Sequence, residues 1–140
     1  QNLQFIYPVH LNPNVKQPAK EILSNIDNIF LVEPLEYLPF VFLMQKSYII
    51  LTDSGGIQEE AGALDIPVLV MRDITERPEG INAGTIKLVG TEKANIVNSF
   101  NELFNNNDLY KKMSKAENPF GNGTSSEQIS NYFVGELVNE

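Results

Sequence analysis

The sequence has no cysteine, a single histidine, and only 10 lysines and arginines against 18 aspartates and glutamates. Without cysteine there can be no disulfide, no thiolate metal site and no cysteine nucleophile, and the composition suits a reducing cytosol. A net charge of −8 makes nucleic acid a poor partner, because a phosphate backbone needs a basic face. The acidity itself reads as solubility. No apolar run approaches the roughly 20 residues needed to cross a bilayer, and no signal peptide precedes the first apolar run. These absences predict a cytoplasmic protein with no membrane partner. His10, the lone histidine, has no serine or acid partner near it in sequence, so no catalytic triad is legible. No residues fall at metal-ligand spacing, and neither metal nor cofactor is expected.

What is present is the raw material of a core. Of 140 residues, 42% are apolar, and they fall in short runs spread along the chain, which favours one folded domain over residues 1–140. The chain begins at Gln1 and is apolar within three residues, which predicts a piece of a larger protein. Five runs are short and nearly continuous in branched residues: 3–9, 29–33, 48–52, 67–71 and 85–89. Such runs suit strands buried on both faces of a parallel sheet. Helices are predicted between and after them, at 18–25, 36–46, 55–64, 95–104, 108–116 and 125–138. Thr91 and Asp108 are the expected caps of two of these. Thr124 and Glu127 stand at capping-box spacing before the last, whose Ile129, Phe133 and Leu137 form a stripe. The alternation implies an α/β fold, a doubly wound parallel sheet of Rossmann-like type, whose ligand crevice lies at the carboxyl ends of the strands.

The segment Leu51 to Glu60, LTDSGGIQEE, carries the strongest chemical signal. A strand ends, Asp53 and Ser54 offer an N-cap, and Gly55 and Gly56 open a helix. The first helical N–H groups have no intrahelical partner and the helix dipole places about +0.5 charge there, so this end suits an anion such as a diphosphate. A merely capped helix after a tight turn is the alternative. Glu60 falls about 60° from Ile57 on the helical wheel, at the edge of the buried face. A carboxylate there needs a donor, either ribose hydroxyls or a neighbouring cation. Glu59 points away and reads as solvated surface. A second cluster, Arg72 to Gly80 (RDITERPEG), follows the fourth strand and is expected at the same crevice as a loop. Arg77 is its candidate phosphate donor, since a guanidinium fork matches phosphate oxygens; a mixed-charge surface loop is the alternative. Phe40 and Tyr37, near the start of the second helix, could flank a base or pack in the core.

Taken together, Tyr7–Val15, Glu33–Phe40, Leu51–Ala61 (LTDSGGIQEEA), Pro67–Gly80 (PVLVMRDITERPEG), Ala83–Thr91 and Met113–Gly123 resemble the bacterial non-hydrolysing UDP-N-acetylglucosamine 2-epimerases. DSGGIQEE combined with RDxTERPE is specific to that family. The resemblance implies the C-terminal half of a two-domain, glycosyltransferase-B-like fold with the active site in the cleft. It implies UDP and UDP-N-acetylglucosamine as ligands, with Ser54, Gly55, Gly56 and Glu60 at the diphosphate and ribose. Leu35 and Phe40 would lie by the nucleoside and Arg77 within the UDP set. His10 matches a residue that in some members belongs to a second, activating nucleotide-sugar site. The family reaction removes the C2 proton, eliminates UDP and adds it back on the opposite face. Its proton-transfer groups lie in the N-terminal domain, so no catalytic residue is expected in this chain, which would be inactive by itself. That N-terminal domain would be a partner, with helix 125–138 packing toward it, and the whole protein would be a homodimer as members often are. Gly62, Ala63 and Ile74 depart from common family residues without touching the UDP set. Two alternatives stay open: a glycosyltransferase donor domain, which would lack the RDxTERPE loop, and a non-catalytic nucleotide-sugar sensor, which would need a natural start at Gln1.

Overall fold

The computed structural model describes residues 3–138, with side chains described through residue 135. The chain divides into two compact units, Gln1–Leu43 and Met44–Glu140. Both are built on parallel strands joined by helices, as the alternation predicts.

In the first unit, β1 (Phe5–Pro8) pairs with β2 (Ile29–Val32), Phe5 opposite Ile29 and Pro8 opposite Val32. The crossover helix α1 (Pro13–Leu23) starts five residues before the predicted position. The stronger start signal is Asn12-Pro13: the Asn12 side chain accepts from the Asn14 N–H at 3.0 Å, and Pro13 stands where a missing N–H costs nothing. Pro18, read as a helix start, is instead inside the helix. Lys16 on α1 reaches Glu33 just past β2, with Nζ 2.9 Å from Oε1. Helix α2 (Tyr37–Lys46) ends this unit and enters the second.

The second unit holds a three-stranded parallel sheet, β3 (Ile50–Thr52), β4 (Val68–Val70) and β5 (Ile86–Leu88), with β4 in the centre. Each strand is shorter than its apolar run, because the flanking residues turn into the connections. Val68, Leu69 and Val70 are all fully buried, as a strand covered on both faces requires. Val68 and Val70 pack with Ala61, Ile86 and Ile57 on one face, which is covered by α3 (Gly55–Gly62). Leu69 packs on the other with Leu103 and Met113, from α5 (Lys93–Asn105) and α6 (Asn107–Ser114). Helices on both faces make the sheet doubly wound.

The predicted loop 72–80 is not entirely loop. Its end begins a short helix α4 (Pro78–Ala83), with Pro78 in the first turn. Gly80 is needed there: a Cβ on it would lie 2.9 Å from Ile86 Cδ1 and 3.1 Å from the Phe120 ring. Two caps are displaced by one or two residues. Glu92, not Thr91, is the N-cap of α5, with no side-chain capping bond. Asn106, not Asp108, caps α6 by accepting from the Leu109 N–H at 3.0 Å. The last helix, α7 (Ser125–Val138), starts as predicted. In place of a reciprocal capping box, Thr124 Oγ1 donates to Asn122 and accepts from Gln128 Nε2. Ile129 and Phe133 on the predicted stripe are exposed; the Leu137 side chain lies outside the described residues. Among the described residues no helix is long and apolar enough to cross a membrane.

Candidate functional site at the start of α3

Strand β3 ends at Thr52, and the backbone turns through Asp53 and Ser54 into α3. The turn is fixed from within: the Ser54 N–H donates to Thr52 Oγ1 at 3.0 Å. Ser54 stands at the N-cap with extended backbone, yet its hydroxyl makes no capping bond. Ser54 is exposed at the crevice end of the sheet. Helix geometry leaves the N–H groups of Gly55, Gly56 and Ile57 without intrahelical acceptors. This is the arrangement expected for anion binding.

Arg77 completes it. Its guanidinium carbon lies 3.4 Å from where a Cβ on Gly55 would sit, with Nη2 at 3.5 Å and Nη1 at 3.6 Å. A Cβ here would be in ordinary van der Waals contact with the guanidinium. The arginine therefore rests against the positive end of α3, and the two positive sources converge on one place. The Glu59 carboxylate, 2.7 Å from Arg77 Nε, offsets part of the positive charge brought together there.

Glu59 restrains Arg77. This corrects the sequence reading of Glu59 as solvated surface: its Oε1 accepts from Arg77 Nε at 2.7 Å. The wheel angle turned Glu59 away from the core correctly, but could not show that the segment after β4 folds back beside it. The two side chains keep 43% and 32% of their exposure, so the pair contributes only about 0.2–1 kcal/mol. Its consequence is orientation. Glu59 takes the Nε side, and Nη1 and Nη2 donate no hydrogen bond among the described residues. The cation expected as an alternative partner for Glu60 has gone to Glu59.

Glu60 is half-buried, at the edge predicted for it. Its Oε1 lies 3.9 Å from a Cβ position on Gly56, because helical side chains lean toward the N-terminus. The carboxylate thus flanks the start of α3 one turn along and makes no ion pair among the described residues. A group rich in hydroxyls placed there would supply the donors it lacks.

Sequence reasoning missed Gln58, which is fully buried. Its Nε2 donates to the Ser54 carbonyl at 3.2 Å, and its Oε1 accepts from Thr75 Oγ1 at 2.7 Å. A polar residue beside Ile57 and Ala61 on the inner side of a helix was the available signal.

The remaining predicted residues belong to the first unit. Leu35 and Tyr37 are exposed and Phe40 is half-buried. The Phe40 N–H donates to the Glu36 carbonyl in the first turn of α2. His10 is exposed just after β1, and its Nδ1 accepts from the Asn12 N–H at 3.1 Å.

The family model for UDP-N-acetylglucosamine 2-epimerase matches residues 1–133. The chain belongs to the UDP-N-acetylglucosamine 2-epimerase family. It is 57% identical over 129 residues to a probable UDP-N-acetylglucosamine 2-epimerase of Ralstonia nicotianae, covering 92% of this chain and 34% of that protein. It is 53% identical over 139 residues to the UDP-N-acetylglucosamine 2-epimerase of Campylobacter jejuni, covering 99% of this chain and 36% of the other. Among solved structures it matches the Neisseria meningitidis UDP-GlcNAc 2-epimerase bound to UDP-GlcNAc, with TM-score 0.90 and 55% identity over 94% of this chain and 36% of that one. An S. aureus protein solved with UDP matches with TM-score 0.91 and 50% identity, over 96% and 37% of the two chains. The chain thus spans about a third of the length of these epimerase relatives, and with them shares the glycosyltransferase-B-like α/β class of fold.

Proposed function

We propose that this chain is the UDP-binding part of a UDP-N-acetylglucosamine 2-epimerase that interconverts UDP-GlcNAc and UDP-ManNAc. The observation that carries the reading is the Arg77 guanidinium resting against the glycine-opened start of α3, in a family with relatives solved bound to UDP or UDP-GlcNAc. Ser54, Gly55 and Gly56 would offer the hydroxyl and backbone N–H groups to the diphosphate, Arg77 its terminal nitrogens, and Glu60 an acceptor for the ribose hydroxyls. Leu35 and Phe40 would flank the nucleoside, and His10 would serve a second, regulatory nucleotide-sugar site. Residues 1–140 would act as one Rossmann-like domain.

In the proposed reaction the C2 proton leaves, the C1–O bond to UDP breaks, and UDP returns after the opposite face is protonated. No redox cofactor or metal is needed. The part assigned to this chain is electrostatic: UDP leaves with extra negative charge, and fixed donors aimed at it lower the barrier. Proton-transfer groups would come from the rest of the whole protein, which would be a cytoplasmic homodimer.

Calorimetric titration of the whole protein with UDP, with ADP as control, tests the binding reading. Selective UDP binding is expected; equal affinity for ADP would remove the nucleoside assignment. Formation of free ManNAc or UDP-ManNAc from UDP-GlcNAc separates the epimerase from a glycosyltransferase donor domain or a sensor, neither of which would produce it.

A further inference from the structure

We propose that Gln58 is a positioning residue that ties the two halves of the anion site into one geometry. The halves come from different segments. Ser54, Gly55 and Gly56 follow β3, whereas Arg77 follows β4. Between them runs a continuous chain of bonds. Gln58 Nε2 donates to the Ser54 carbonyl at 3.2 Å, Thr75 Oγ1 donates to Gln58 Oε1 at 2.7 Å, and the Arg77 N–H donates to Thr75 Oγ1 at 3.1 Å. Gln58 is fully buried and neighbours Ile57, which packs on the core of Ala61, Val68, Val70 and Ile86.

An amide in such a place needs a reason, because burying it costs more than burying a methionine of similar size unless both ends are satisfied. Both ends are satisfied here, and by the two segments that build the site. Only an amide fits the demand: Ser54 offers an acceptor, Thr75 offers a donor, and a carboxylate or an aliphatic chain would leave at least one of them alone. The Glu59–Arg77 pair holds the outer face of the same junction, but it is half-exposed and weak. The link through buried Gln58 therefore fixes the Arg77 backbone relative to Ser54, and with it the place from which the guanidinium reaches toward the Gly55–Gly56 N–H groups, a spacing that a diphosphate reads across both phosphates.

The inference rests on the UDP reading above. Its test uses the whole protein, with Gln58→Met, Thr75→Val and the double variant, each titrated with UDP and with UMP and followed by thermal unfolding. Each single variant is expected to weaken UDP on the order of tenfold and to lower the preference for UDP over UMP. The double variant is expected to lose no more than the larger single loss, since both remove one link. A purely structural role would lower the melting temperature and leave the UDP-to-UMP preference as in the wild type; that outcome, or losses that multiply in the double variant, overturns the proposal. If Gln58→Met does not fold, Thr75→Val decides alone, because Thr75 lies in the loop rather than in the core. A wild type that fails to bind UDP is a separate failure, that of the functional reading itself, and the inference falls with it.

Discussion

Helices α3 and α5 begin in the same way and face different surroundings. Each follows a strand of the three-stranded sheet, and neither has a side-chain capping bond at its N-terminus. Each also has an arginine in its neighbourhood. Arg77 rests against Gly55 at the start of α3. Arg72 lines an open groove of about 370 Å³ with Gly90 and with Asn95, Asn98 and Ser99 of α5. The difference lies in how the two guanidinium groups are used. Glu76 takes both terminal nitrogens of Arg72, at 2.9 and 3.1 Å. Glu59 takes only Nε of Arg77. One arginine is consumed by its partner and the other is aimed by it. An uncapped helix end is thus a weak sign of a site, and the spare donors of an adjacent cation distinguish the two.

The largest effect is expected from removing the aimed charge. Arg77→Ala should weaken UDP by roughly 10–100-fold, the range for charge-assisted hydrogen bonds, and Arg72→Ala should change it little; calorimetry on both variants would show whether the two arginines differ as described. Glu60→Ala should weaken UDP several-fold while the melting temperature holds; unchanged affinity in a folded variant would remove the ribose assignment. Gly56→Ala separates binding from folding. A Cβ there meets only Glu60 Oε1 at 3.9 Å, so the helix should gain up to about 1 kcal/mol while the methyl group shields the N–H groups and lowers affinity. At α5 the same experiment should have one arm only. Glu92→Ser installs the missing cap, worth about 1 kcal/mol in unfolding experiments, with UDP affinity untouched.

The smallest effect is in pH. The hydrogen bond from Arg72, then the Glu76 backbone and the Arg72 charge, hold the Glu76 carboxyl below its ordinary value of 4.5. A depressed carboxyl adds stability above pH 4.5 and loses it as pH falls through the lower folded value. Carbon-detected titration should find the Glu76 midpoint below 4.5 in the wild type and back near it in Arg72→Ala.

Much of this was legible in the residues. The five apolar runs mark the five strands, but burial on both faces holds fully only for β4; β1 and β2 leave Ile6, Tyr7 and Phe30 exposed. DSGG after such a run marks the helix start, and the wheel places Glu60 at the flank. The ends of elements were less legible. Asn12-Pro13 outweighs the later Pro18, and Asn106 outcompetes Asp108 as a cap, since several residues nearby can each end a helix and tertiary packing selects among them. Contacts between segments were not legible at all. Glu59 with Arg77 and Gln58 with Thr75 join residues 18 and 17 positions apart, and no periodicity reports which side chains meet when the segment after β4 folds beside α3.

The most direct test of the contrast between the two helices is amide chemical-shift mapping on the 15N-labelled whole protein during a UDP titration. The account predicts that the Gly55, Gly56 and Ile57 amides and the Arg77 side chain shift together and saturate with one affinity, while Lys93, Ala94 and Asn95 at the start of α5 stay in place. Saturating shifts at α5 with none at Gly55 and Gly56 would contradict it.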